Sequence, residues 1–72
     1  MSNKQIKILN VLQSLYRLDG TEEVQDECFP DSREELYMLE SEGLVLYDEY
    51  KYHKVTLTQK GQTLCVPFLL EV

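Results

Sequence analysis

DSREELYMLESEGLV, residues 31–45, decides how this chain is read. Leu36 and Leu39 stand three apart with Met38 between them, and Glu42-Gly43 follows as a stop signal. That spacing predicts a short helix with Leu36, Leu39 and Met38 turned toward a core. Asp31 and Ser32 are alternative caps, because each has a glutamate three residues on, Glu34 and Glu35. After Gly43 the apolar period falls from 3.6 to 2, so the helix gives way to a strand. The same stretch holds five carboxylates and a single cation, Arg33.

Downstream, LVLYDEYKYHKVTL reads as a hairpin, with strands near 44–48 and 52–57 and a tip around 49–51. The tip has no Asn-Gly or Asp-Gly pair, so a longer turn is expected. His53, Val55 and Leu57 alternate onto one face, and Tyr52, Lys54 and Thr56 onto the other. Thr58 can cap a short helix, QKGQTLCV, which Pro67 ends. The chain continues FLLEV, with Phe68, Leu70 and Val72 alternating as in a strand.

Upstream, residues 3–18 lack Gly and Pro and repeat apolar residues at Ile8, Val11, Leu12, Leu15 and Leu18. This is the stripe of an amphipathic helix. Leu9 and Tyr16 widen the arc, and Ile6 lies outside it. Two readings stay open: a thick core, or contact of Ile6, Leu9 and Tyr16 with a second subunit, joined by Phe68 and Leu70 of the apolar segment 66–72. Asp19-Gly20 ends the helix. Thr21 can cap a second helix, with Glu22 and Glu23 in its first turn and Val24 one turn before Cys28, stopped by Pro30.

Seventy-two residues make one small domain of α+β class, residues 1–72. Two cysteines 37 positions apart form no disulfide framework, and both are expected to be small core thiols. With His53 as the sole histidine, no metal-ligand spacing exists and no cofactor is expected. No spacing singles out a catalytic pair, so an enzyme is not expected. No apolar run is long enough for a membrane span, no secretory leader is seen, and a cytoplasmic protein is the default. Net charge is −6, and its distribution is uneven. Residues 1–18 carry three positive charges and none negative, whereas residues 19–49 carry twelve negative charges and one positive. Such a middle repels phosphate and favours basic protein partners over DNA or anionic lipid.

Two segments carry a resemblance. LYMLESEGLV, residues 36–45, resembles the L-x-x-L-E-x-E-G-L-V signature of MarR-, PadR- and ArsR-like regulators. VTLTQKGQTL, residues 55–64, resembles the segment that closes the wing in the same winged helix-turn-helix families. Small phage and prophage proteins also carry this pattern. The resemblance covers about residues 5–65 and implies three helices, a β-hairpin wing and a short C-terminal helix or tail. It implies that the third helix would enter the major groove, with Arg33 and Tyr37 at contact positions. Here the departures matter. Glu34 and Glu35 would meet phosphate, and the helix lacks about one N-terminal turn.

Two functions follow. One is an acidic module that binds a basic protein, or occupies a DNA-binding surface by mimicry, through Glu22, Glu23, Asp26, Glu34, Glu35 and Glu40. Tyr47, Tyr50 and Tyr52 would act as anchors. The other is a dimeric DNA-binding transcriptional regulator using Arg33, Tyr37, Lys51 and Lys54, backed by Lys4, Lys7 and Arg17.

Overall fold

Which face of the first helix turns inward controls the rest of the packing. The computed structural model describes residues 1–64. In chain order these form α1 (Asn3–Asp19), β1 (Glu23–Gln25), a 3-10 turn (Asp26–Cys28), α2 (Arg33–Ser41), β2 (Val45–Asp48), β3 (Lys54–Leu57) and α3 (Gln59–Thr63). The class is α+β. β3 lies between β1 and β2 and is antiparallel to both.

α1 starts with a capping box. The Ser2 hydroxyl accepts from the Gln5 N–H, and the Gln5 side chain accepts from the Ser2 N–H. It stops at Gly20, whose left-handed φ of 77° lets its N–H donate to the Tyr16 carbonyl. The buried face is Gln5, Ile6, Ile8, Leu9, Leu12 and Gln13. The expected stripe is therefore rotated: Val11 is 45% exposed and Leu18 is 83% exposed. Ile6 and Leu9 are corrected from subunit contacts to core residues, since Leu9 has no exposed surface. Tyr16 packs half-buried against the same core. The cause is polar. The Gln13 amide donates to the Gly61 carbonyl at 2.8 Å and to the Leu64 carbonyl at 2.5 Å. A helix turned to bury Val11 and Leu18 would lose both bonds.

The second helix expected after Thr21 is absent. In its place Val24 pairs with Val55 in the sheet, and the Glu22 carbonyl accepts from the Leu57 N–H. A β-branched residue between two glutamyl/glutaminyl neighbours fits a short edge strand, and Pro30 leaves no length for a stable helix. Only the one 3-10 turn remains, and Cys28 is exposed rather than buried.

α2 begins at Arg33. Asp31 has a φ of 57°, which breaks the helical path before it. Ser32 occupies the cap position but makes no capping bond; its hydroxyl donates to the Pro30 carbonyl, so neither expected capping box forms. Leu36 and Leu39 are core as expected, while Met38 is exposed. Gly43, at φ 79°, turns the chain into β2.

The hairpin strands are shorter than expected, and residues 49–53 form the longer loop anticipated from the missing turn pair. His53 takes a φ of 53°, leaves the strand alternation and is exposed, so Val55 and Leu57 alone fill the inner face. α3 is capped as expected by Thr58, which accepts from the Gly61 N–H at 3.1 Å. Gly61 sits where a Cβ would collide with the Leu44 carbonyl and Leu57, so only glycine allows α3 this close. Cys65 and the apolar segment with Phe68, Leu70 and Val72 lie outside the described residues. No helix among the described residues is long and apolar enough to cross a membrane.

Replacing Gln13 with leucine keeps the volume but strands two carbonyls. It is expected to destabilise the fold by about 1–3 kcal/mol, measurable in urea titration as a lower midpoint at an unchanged slope.

Candidate acidic groove

The 3-10 turn brings carboxylates to the start of α2. Asp26, Glu27 and Asp31 from the turn and its exit face Glu34 and Glu35 from the first turn of α2 across an open groove of about 670 Å³. Its apolar parts come from Phe29, Pro30 and Tyr47, and its cations are Lys4 and Arg33.

Those cations are already engaged. The Arg33 Nε lies 2.6 Å from the Glu49 carboxylate, and Lys4 lies 3.9 Å from Glu35. Glu27, Asp31 and Glu34 have no ion-pair partner among the described residues. The groove therefore presents negative charge without an ion-pair partner at the N-terminal end of α2.

Asp26 is the fixed point. It accepts from the Tyr47 hydroxyl at 3.3 Å and lies 3.6 Å from the His53 Nδ1, while its own N–H donates to the His53 carbonyl. Tyr47 is held from above by Tyr37, with ring centroids 5.5 Å apart and planes tilted by 55°. Burial, and then the neighbouring Asp26 charge, push the Tyr47 phenol above its usual value. The phenol stays neutral and keeps donating through the neutral range.

The structure brings together part of the expected set. Asp26, Glu34, Glu35 and Tyr47 line the groove, and Glu27, Asp31, Phe29 and Pro30 were missed. From sequence, Asp31 has a role only as a candidate cap and Glu27 has none; their charge was the available signal. Glu22, Glu23 and Glu40 lie elsewhere. Glu23 pairs with Lys54 at 3.2 Å, and Glu40 accepts from the Tyr47 N–H, which occupies the free edge of β2. Tyr50 and Tyr52 are exposed on the hairpin loop, outside the groove, with Lys51 and Lys54 each over the Tyr52 ring. Tyr37 is partly exposed and stacked on Tyr47.

The loop itself is closed by Asp48, whose carboxylate accepts from the N–H groups of Lys51, Tyr50 and Tyr52. The Lys51 N–H, helped by the other two, holds the Asp48 carboxyl below the usual carboxylate range. Among the described residues no group of His, Cys, Asp and Glu is arranged to hold a metal ion. No family model, curated protein or solved structure matches the chain.

Two measurements check this geometry. Because the Asp48 value is depressed in the fold, its contribution is full above the unfolded value and is lost as pH falls through the lowered one. Relative to the intrinsic exchange rate, protection of the Tyr50, Lys51 and Tyr52 amides should be lost only below the ordinary carboxylate range, and Asp48→Asn should lower it at neutral pH. In an alkaline ultraviolet titration, Tyr47 should ionise above the ordinary tyrosine value, and Tyr47→Phe should remove that late component.

Proposed function

We propose that the chain is a small acidic winged-helix module that binds a basic segment of a protein partner in the groove at the start of α2. The winged-helix reading is supported by the order of elements and by the strand order β1-β3-β2, which lays a hairpin beside the exit of α2. One departure is the second helix, reduced here to a 3-10 turn.

The observation that carries the function is the gathering of Asp26, Glu27, Asp31, Glu34 and Glu35 around one groove at the end of α2 that a DNA reader would turn toward its operator. Phosphate is repelled there. Lysine or arginine side chains are attracted, and Phe29, Pro30 and Tyr47 give their apolar stems a surface. A DNA-binding protein is one such partner, since the carboxylates can stand where phosphates would.

The DNA-reading alternative needs Arg33, Lys51 and Lys54. Arg33 is paired with Glu49 and Lys54 with Glu23, so two of the three would give up an existing partner. That exchange weakens this reading.

Fluorescence anisotropy of a labelled oligo-arginine peptide and of mixed-sequence duplex DNA, at low and moderate salt, separates the two. The peptide should bind at low salt and weaken as salt rises. Reversing Glu34 and Glu35 to lysine should reduce its affinity by roughly tenfold or more with folding intact. Reversing Glu22 and Glu23, which lie off the groove, should do much less; equal effects would remove the groove assignment. Salt-sensitive DNA binding that Lys51→Ala with Lys54→Ala abolishes would replace this function with DNA reading.

A further inference from the structure

β1 is an outer strand, and no described strand pairs with its far edge. Its register shows which backbone groups that edge presents. The Leu57 N–H donates to the Glu22 carbonyl at 2.9 Å, and the Asp26 N–H donates to the His53 carbonyl at 2.7 Å. Bonded and non-bonded positions alternate along an antiparallel ladder. Val24, opposite Val55, is therefore the bonded position between them, and Glu23 and Gln25 turn their backbone groups away from β3. The Gln25 carbonyl caps the 3-10 turn. That leaves the Glu23 N–H, the Glu23 carbonyl and the Gln25 N–H along the edge, on two exposed residues.

We propose that the basic segment bound in the acidic groove enters it as an extended strand, hydrogen-bonded to this edge of β1. The inference rests on the groove reading above and gives the conformation in which the partner is taken. β1 runs straight into the groove, since the residues after Gln25 are Asp26 and Glu27, both of its lining. A segment laid on the edge is thus delivered to the carboxylates with its backbone already satisfied. Glu23 can exchange two hydrogen bonds with one residue of the segment, and Gln25 can donate a third.

Charge selects the occupant. The edge and its exit read EEVQDE, residues 22–27, with four carboxylates and no cation. A second copy pairing through the same edge would set carboxylate against carboxylate. The chain's own residues 65–72 carry no cation and one glutamate. A lysine- or arginine-bearing strand is attracted. Glu23 is already paired with Lys54, so the edge holds the segment through its backbone and the groove holds it through charge.

The test is anisotropy of the labelled oligo-arginine peptide with the wild-type chain, Gln25→Pro and Gln25→Ala, together with amide hydrogen exchange of the wild type. Proline suits this position. Gln25 already has a φ of −72°, it follows a strand residue, and the N–H that is lost has no partner on β3. Gln25→Pro should keep the thermal midpoint and weaken the peptide at least roughly fivefold. The loss should be the same at low and moderate salt, because no charge changes. Gln25→Ala should bind like the wild type. Exchange of the Glu23 and Gln25 amides should be fast in the free chain and slowed by the peptide. A folded Gln25→Pro chain that binds as tightly as the wild type, while reversal of Glu34 and Glu35 still disables binding, removes the strand and leaves the groove. A wild type that binds no peptide removes both. Should the proline variant unfold, the exchange experiment decides: no slowing at Glu23 and Gln25 overturns the proposal. So does protection of both amides without peptide, which would mean that residues 65–72 or a second copy hold the edge.

Discussion

A buried amide orients this protein. Gln13 reaches through the core to donate to two carbonyls of α3 and its exit, Gly61 and Leu64. The Gly61 carbonyl is buried, and a buried carbonyl left without a donor costs free energy. The bond pair therefore sets the rotation of α1 about its own axis. That rotation brings Ile6 and Leu9 against Leu36, Leu39, Val45 and Val55, and turns Val11 and Leu18 outward. Gly61 completes the arrangement, because any side chain there would hold α3 away from β2's entry at Leu44 and leave Gln13 short of its acceptors.

The sheet follows from the same economy of space. With α1 and α3 tied together, Val55 and Leu57 fill the inner face, and Val24 closes the far edge by pairing with Val55. Drawing residues 23–25 into the sheet shortens the connection to α2 to one 3-10 turn and a Pro30-Asp31 corner. The acidic turn then faces the acidic start of α2. A full helix in that connection would have spread the carboxylates over its own surface and away from α2.

Not all the negative charge has one role. Asp19, Asp48 and Glu40 are consumed by backbone donors: Thr21 at the end of α1, the hairpin loop, and the β2 edge at Tyr47. Glu23 and Glu49 are paired with Lys54 and Arg33. Of the other carboxylates without an ion-pair partner among the described residues, Glu27, Asp31 and Glu34 collect at the groove, while Glu22 and Glu42 lie away from it. A carboxylate held by backbone N–H groups stabilises a turn, whereas one facing open groove leaves its field available to a ligand.

Local signals determined much of this chain from sequence alone: the extent of α1, the Gly20 and Gly43 stops, Leu36 and Leu39 as core, the loose hairpin and the Thr58 cap. Each depends on backbone conformation or period within a few residues, so the residues concerned carry it themselves. Residues 21–29 misled, because Val24 and Cys28 stand a helical turn apart while the partner that claims Val24 is Val55, far along the chain. The face of α1 misled for the same reason. Hydrophobicity marked Val11 and Leu18 for the interior, and only the distant carbonyls of Gly61 and Leu64 make Gln13 the residue that goes inside. The groove was half legible: Asp26, Glu34 and Glu35 stood out by charge, but their meeting with Glu27 and Asp31 depends on the strand that replaced a helix. Short-range geometry is written in neighbouring residues; the pairing of distant polar groups is decided only when the chain closes on itself.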